Sequence, residues 1–413
     1  MFRARHFFPL LVIPVAISCK PSADAGSKPT VGKQGAPTKP VVGPTTAVAQ
    51  KKPDAPTFER PKSVKGIYLT AWSASSGTKL AKMVALIDRT DLNSVVIDVR
   101  DTGEVYFPVD DPMVKRVHEM QHGTLTAFPK QAQAARLMQR LSKAGVYPIA
   151  RVACMRDNYV PKLDPSRSVQ VPGGKPWHDR SGHGWLDPYD KRNWQYIAKI
   201  VDYAMDLGFP EIQLDYVRFP SEGKSSTQIF PNKAKYGDPK AHPDDVITAF
   251  ADWMGKRVRA RGCAYSADVF GIISESKKDQ GIGQTLEKIA APFDVLSPMV
   301  YPSHFAKGEY GIPNPNAAPY ETIHKSLGDY KRRIPKTTVR PWLQDFSLGS
   351  PHYGVKEVEA QIKAAKDLGY DGYLMWNAGN RYTEGAYGKG NAVESKKGET
   401  PSSKPAVDPA GRA

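Results

Sequence analysis

The sequence predicts an α/β fold, a single (β/α)8 TIM barrel with a disordered N-terminal tether and a disordered C-terminal tail. Three observations predict it. Short β-branched or aromatic runs alternate with helical apolar patterns through the middle of the chain. Glycines fall where helices should stop before the next strand, at Gly145, Gly208, Gly262 and Gly369. No glycine-rich nucleotide turn follows the first strand, as an open doubly wound sheet would favour.

The first strand is expected over residues 66–72 and the next helix over 79–87, with Leu80, Met83, Val84 and Ile87 on one face. A second strand over 94–100 precedes a loop and a helix over 131–143. The third strand, 146–152, leads through a long polar insertion to a helix over 193–207. The fourth, 211–219, is followed by a Pro/Gly-rich insertion and a helix over 245–261. Strand five (264–270), helix 285–291, strand six (295–301) and helix 320–331 come next. Strand seven (339–346), helix 355–368 and strand eight (372–377) complete the order. Parallel strands need such crossovers, and eight strands close into a filled barrel. The eighth helix is weak, so closure at the chain end rests on the strand alone.

The flanks read differently. Met1 to Arg5 carries two arginines, residues 7–17 are an apolar run, and Cys19 follows Ser18 at once. The run is shorter than the roughly 20 residues that a spanning helix needs, so it reads as an export signal. The segment resembles a bacterial lipobox, although Ala16 and Ile17 stand where Leu and Gly or Ala are commoner. The resemblance implies a signal peptide over 1–18, lipidation at Cys19 and a lipid bilayer as partner. Lys20 follows the cysteine where an aspartate is absent, which favours the outer membrane or periplasmic face of a bacterial envelope. Residues 19–63 are rich in Pro, Ala and Lys and read as a tether, and 389–413 as a tail. The folded body is expected over 64–388.

The formal net charge is +16 and the pI about 9.5. Much of the excess lies in the flanks, so a nucleic-acid partner is not expected, and contact with anionic lipid or wall polymer accounts for it as well as solvation does. Of 3 cysteines, Cys154 and Cys263 remain after Cys19, at a spacing that is neither a metal nor a redox motif. They are expected to be buried thiols.

Barrel chemistry sits at the carboxyl ends of the strands. Strand two ends in Asp98, Val99, Arg100 and Asp101; strand three carries Arg151; strand four ends in Asp215, Tyr216, Val217 and Arg218. Asp268 ends strand five, Tyr301 strand six, Asp345 strand seven, and Trp376 with Asn377 strand eight. Alternation along each strand turns Asp215, Asp98 with Arg100, and Asp268 toward the lumen. Buried carboxylates need partners, and Arg100, Arg151 and Arg218 are candidates. The competing reading is an ion-pair layer that plugs the barrel. Paired carboxylates with aromatics suit glycosidic cleavage, in which one carboxyl protonates the leaving oxygen and another attacks or activates water.

The segments at 65–70, 98–101, 214–220, 297–302 and 373–377 resemble the bacterial family described as "Putative glycosyl hydrolase domain", and the resemblance covers roughly 64–382. It implies polysaccharide turnover without a cofactor. A wider similarity to α-amylase-like and α-galactosidase-like barrels implies that Asp215 is the nucleophile, with Asp345 as a third carboxylate. The general acid of that group is a Glu ending strand five, where this chain has the shorter Asp268. The expected catalytic residues are therefore Asp215, Asp268 and Asp345. The expected substrate contacts are Asp98, Arg100, Arg151, Arg218, Tyr301, Trp72, Trp376 and Asn377. A glycan-binding envelope lipoprotein on an inactive barrel is the alternative. A metal-dependent hydrolase is disfavoured because strand one has no histidine and, of 9 histidines, only His304 lies near a strand end. A phosphate-handling barrel is disfavoured because no glycine-rich loop follows strands seven or eight.

Overall fold

The computed structural model describes residues 55–121, 126–238 and 240–388. Cys19, the expected signal segment, most of the expected tether and the expected tail lie outside the described residues. Among those described, no helix is long and apolar enough to cross a membrane.

Eight parallel strands close into a barrel: β1 (Lys65–Leu69), β2 (Ser94–Asp101), β3 (Tyr147–Ala153), β4 (Glu211–Asp215), β5 (Ala264–Phe270), β6 (Val295–Met299), β7 (Trp342–Gln344) and β8 (Tyr373–Trp376). Seven crossover helices surround them: α1 (Gly77–Arg89), α2 (Gln131–Lys143), α3 (Lys191–Leu207), α4 (Pro243–Ala260), α5 (Leu286–Ala290), α6 (Pro319–Arg333) and α7 (Val355–Asp367). Closure is made by backbone pairing of β8 with β1, in the register Lys65↔Tyr373, Gly66↔Leu374 and Ile67↔Met375. No α-helix follows β8 among the described residues. The chain instead turns through Glu384–Ala386, and the Asp91 N–H donates to the Gly388 carbonyl at 2.8 Å.

Local sequence explains most boundaries. Asp190 caps α3 by accepting from the Arg192 N–H at 2.9 Å. Gly208 ends that helix with φ +106°, the left-handed conformation that glycine adopts without strain. The other three expected stop glycines also have positive φ. The first strand is shorter than expected because Thr70 caps a short helix, Ala71–Ser75, by accepting from the Ser73 N–H at 3.1 Å. That moves Trp72 off the strand. β4 stops at Asp215 because Tyr216 has φ +49° and leaves the extended region. The seventh strand is split into Thr338–Val339 and Trp342–Gln344 around Pro341, which has no N–H to donate.

The helix-facing core includes Ile67, Leu69, Val95, Ile97, Leu214 and Leu343, and a separate cluster of Tyr68, Val96, Ile149, Trp342 and Leu374 fills the lumen. Lower in the lumen lies a second buried ion pair, built from residues with no expected site role. Glu211 accepts from Arg340 and, at 2.7 Å, from the Ser266 hydroxyl. Burial works against that charge, but Arg340 outweighs it and holds the Glu211 carboxyl below its usual range. Residues 55–63, expected to be tether, are described, and Phe58 packs against the core. No disulfide joins Cys154 to Cys263. The insertions after β3 and β4 are knitted together by paired bonds between the Gln170 and Ile229 backbones at 2.8 and 2.9 Å.

Candidate active site

The mouth is organised around one guanidinium. Arg151 ends β3 in the lumen, 4% exposed, between carboxylates from three neighbouring strands. Its Nη1 donates to Asp98 Oδ1 at 2.5 Å, and its Nε and Nη2 donate to Asp215 Oδ2 at 3.0 and 2.6 Å. Asp101 lies 3.6 Å from Nη1, and Asp268 Oδ2 lies 3.9 Å from Nε. Burial works against the cation, yet Asp215, Asp98 and Asp101 together outweigh it and raise its pKa well above the usual value. Tyr68 and Trp376 stack with centroids 4.1 Å apart, and the guanidinium lies 5.9 and 5.5 Å from their rings.

The three lumenal aspartates are held differently. Asp215 accepts from Arg151 on Oδ2 and from the Tyr216 N–H on Oδ1 at 2.6 Å. Asp98 accepts from the Tyr68 hydroxyl at 2.5 Å and from Arg151; burial pushes its pKa up to about 7, with Arg151 opposing and Asp101 adding to the rise. Asp268 accepts on Oδ1 from the Gln213 amide and, at 2.6 Å, from Trp342 Nε1. Its Oδ2 lies 3.9 Å from Arg151 Nε. Burial and the neighbouring Asp215 charge raise Asp268 well above the ordinary carboxylate range. One carboxyl is thus tied to a guanidinium while its neighbour is pushed toward the protonated form, an arrangement that separates base or nucleophile from acid. Tyr301 is buried beside them, its phenol pushed up by burial and by Asp268 and Asp215.

Five expected site residues lie outside the Arg151 cluster. Arg100 does not enter the lumen. The register between β2 and β3 shifts between Asp98 and Arg100, and this bulge turns Arg100 outward. There it donates to the Ala153 and Cys154 carbonyls and pairs with Asp157, stacked near Tyr196 of α3. Asp345 follows the parity of Leu343 rather than that of Trp342 and Gln344. Its oxygens accept from the Thr383 N–H at 2.8 Å, the Thr383 hydroxyl at 2.6 Å and the Tyr387 hydroxyl, which pins the C-terminal segment. Asn377 spends its side chain on the Asp345 carbonyl and the Gly379 N–H. Arg218 lies beyond the end of β4 among the rings of Trp185, Tyr216 and Phe270. Trp72 stands 41% exposed on the short helix after β1, and Trp376 is half-buried.

Sequence reasoning gave no site role to Tyr68 or Gln213, although Tyr68 shares parity with Trp72 and Gln213 with Asp215 on the expected strands. Tyr382, which donates to the Tyr68 carbonyl at 2.5 Å, comes from the irregular chain after β8 and carries no sequence signal. Among the described residues, no group of three or more His, Cys, Asp or Glu side chains is arranged to hold a metal ion; the carboxylates converge on a guanidinium. A cavity of 420 Å³ between the insertions, lined by Tyr189, Lys191, Arg192 and Tyr236 among others, shares no lining residue with this cluster.

Residues 66–382 match the family described as "Putative glycosyl hydrolase domain". The chain belongs to that family. Membership supports a hydrolase acting on glycans, with a carbohydrate as substrate. No curated protein matches the chain. Among solved structures, the glycoside hydrolase domain of PgaB (BpsB) from Bordetella bronchiseptica is 13% identical, with 76% of this chain and 94% of that one covered and a TM-score of 0.53. At that identity it shows the shared fold. A hypothetical protein from Ruminiclostridium thermocellum ATCC 27405 is 28% identical over 49% of this chain and 97% of its own, with a TM-score of 0.41. An α-galactosidase from Thermus thermophilus is 12% identical over 78% of this chain and 59% of its own, with a TM-score of 0.48.

Proposed function

We propose that this member of the glycosyl hydrolase domain family is a retaining glycoside hydrolase, held at the bacterial envelope by a lipid on Cys19, that cleaves an envelope or extracellular polysaccharide. The observation that carries the chemistry is the unequal treatment of two adjacent aspartates. Asp215 receives two bonds from Arg151, whereas Asp268 is buried, faces Asp215 and is raised in pKa. In the first step Asp215 attacks the anomeric carbon as the glycosidic bond breaks, and Asp268 gives its proton to the departing oxygen. In the second, Asp268 takes a proton from water as the water oxygen displaces Asp215, which restores both groups.

The spacing supports this order. Asp215 Oδ2 and Asp268 Oδ2 lie 3.0 and 3.9 Å from the same Arg151 nitrogen, so they cannot be farther apart than the sum of those distances. That limit admits the roughly 5–5.5 Å of a retaining pair and cuts off nearly all of the roughly 6.5–9.5 Å range of an inverting one. Asp98 and Tyr68 brace Arg151 from the other side. Trp72, Trp376 and Tyr301 offer aromatic surface for sugar rings. The basic segment before residue 64 would tether the barrel to its lipid.

The test is Asp215→Asn in the full chain, assayed by reducing-end release from a polysaccharide panel. Turnover should fall by on the order of a thousandfold or more. Binding by the wild type with no turnover on any member would favour the glycan-binding alternative.

A further inference from the structure

Tyr216, the residue after Asp215, is flanked by two cations. The Arg156 guanidinium lies 4.8 Å from its ring centroid and that of Arg218 lies 5.1 Å away. Arg156 comes from the insertion after β3, Arg218 from the segment after β4. Neither has an ion-pair partner among the described residues. The other buried guanidiniums are provided for: Arg100 pairs with Asp157, Arg151 with Asp98 and Asp215, and Arg340 with Glu211. Arg167 spends its nitrogens on Asn193 Oδ1 and the Arg192 carbonyl.

Arg218 is 5% exposed and makes one hydrogen bond, from Nη1 to the Phe219 carbonyl at 3.1 Å. Burial pushes its pKa down to about 10, against the pull of Tyr216, Asp215 and the half-buried Glu222. Arg156 is half-buried. Its Nη1 donates to the Tyr216 hydroxyl and its Nη2 to a His183 ring nitrogen, and Asp179 Oδ1 lies 3.3 Å from His183 Nδ1. With Nδ1–H directed at Asp179, His183 accepts from Arg156 and fixes its direction. Its Nε is buried without a partner. A guanidinium buried without a counter-charge is destabilising, and its planar fork matches a carboxylate. Two of them beside the nucleophile are arranged for an anion that the protein itself does not supply.

We propose that Arg156 and Arg218 form a subsite for an acidic sugar, so that the glycan cleaved at Asp215 carries a carboxylate-bearing unit such as a hexuronic acid, bound beside Tyr216. This rests on the glycosidase reading of the same mouth and narrows it to acidic polysaccharides. The two arginines exclude cationic glycans from that position by like-charge repulsion and leave a neutral one with nothing to offset their desolvation.

The full chain is titrated with polygalacturonate, alginate and hyaluronan oligosaccharides, each against its carboxyl methyl ester, which removes the charge and keeps the linkage. At least one acid form should bind tenfold or more tightly than its ester, and Arg156→Gln should abolish that preference with little change in Tm. Arg218→Gln should do the same; because Arg218 is buried, its result counts only if the variant melts cooperatively, and Arg156→Gln decides otherwise. Equal binding of acid and ester, no binding of any acid form, or an unchanged preference in Arg156→Gln overturns the proposal. Hydrolysis of a neutral glycan by a chain indifferent to acid forms would overturn the acidic subsite alone. Charge-selective binding without Asp215-dependent cleavage would overturn the glycosidase reading and leave the subsite standing.

Discussion

Replacing Arg151 by methionine keeps most of the side-chain length and deletes the charge on which the mouth is built. The guanidinium is 4% exposed and pairs with Asp98 at 2.5 Å and Asp215 at 2.6 Å. Removing one partner of a buried pair costs about 3–5 kcal/mol, because the charge left behind stays out of water. The stranded carboxylates escape part of that cost by protonating. Burial already holds Asp98 up at about 7 against the pull of Arg151, so without the guanidinium it rises further. A carboxyl whose folded pKa exceeds its unfolded value of about 3.9 binds more protons when folded. Its stabilising contribution is therefore full below the unfolded pKa and is lost as pH rises through the folded pKa. The variant's deficit should reach about 3–5 kcal/mol at pH 8. At pH 5 it should be smaller by about 1.4 kcal/mol for each pH unit over which a carboxyl is protonated in the folded variant but ionised in the folded wild type. Urea unfolding of the full chain, followed by tryptophan fluorescence at both pH values, measures this. A loss under about 1 kcal/mol at pH 8, or an equal loss at both pH values, would refute the reasoning.

Asp345→Ala should cost about 1–3 kcal/mol of stability through the lost bonds to Thr383 and Tyr387, with turnover within about threefold of wild type; a collapse of turnover in a stably folded variant would return Asp345 to the reacting groups. Cys19→Ser should move the protein from the membrane to the soluble fraction on cell fractionation, and retention in the membrane fraction would refute the lipid anchor.

The eight strands and seven crossover helices were legible because apolar periodicity repeats with each unit and stop glycines follow four of the helices. The lumenal positions of Asp98, Asp215 and Asp268 were legible because simple alternation holds up to each of them. It failed at Arg100, one bulge further on, because a register shift has no signature in a run such as residues 94–101. It failed at Trp72 because Thr70 reads equally well as a β-former and as a helix cap. Asp345 was assigned by analogy with other barrels, and the parity set by Trp342 and Gln344 points it the other way. The cation pair around Tyr216 depends on where two insertions fold back, and their sequences show only that they are polar. Residues 55–63 share the composition of the tether, yet Phe58 alone supplies enough apolar surface to pack on the core.

The central claim is that Asp215 and Asp268 act as a double-displacement pair, and the anomeric configuration of the first-formed product tests it most directly. Proton NMR of the wild-type chain, recorded before mutarotation on a glycan that it cleaves, reports that configuration. The account predicts the configuration of the scissile bond, because two displacements at one carbon restore it. Release of the opposite anomer would mean one displacement by water, and would contradict Asp215 as nucleophile.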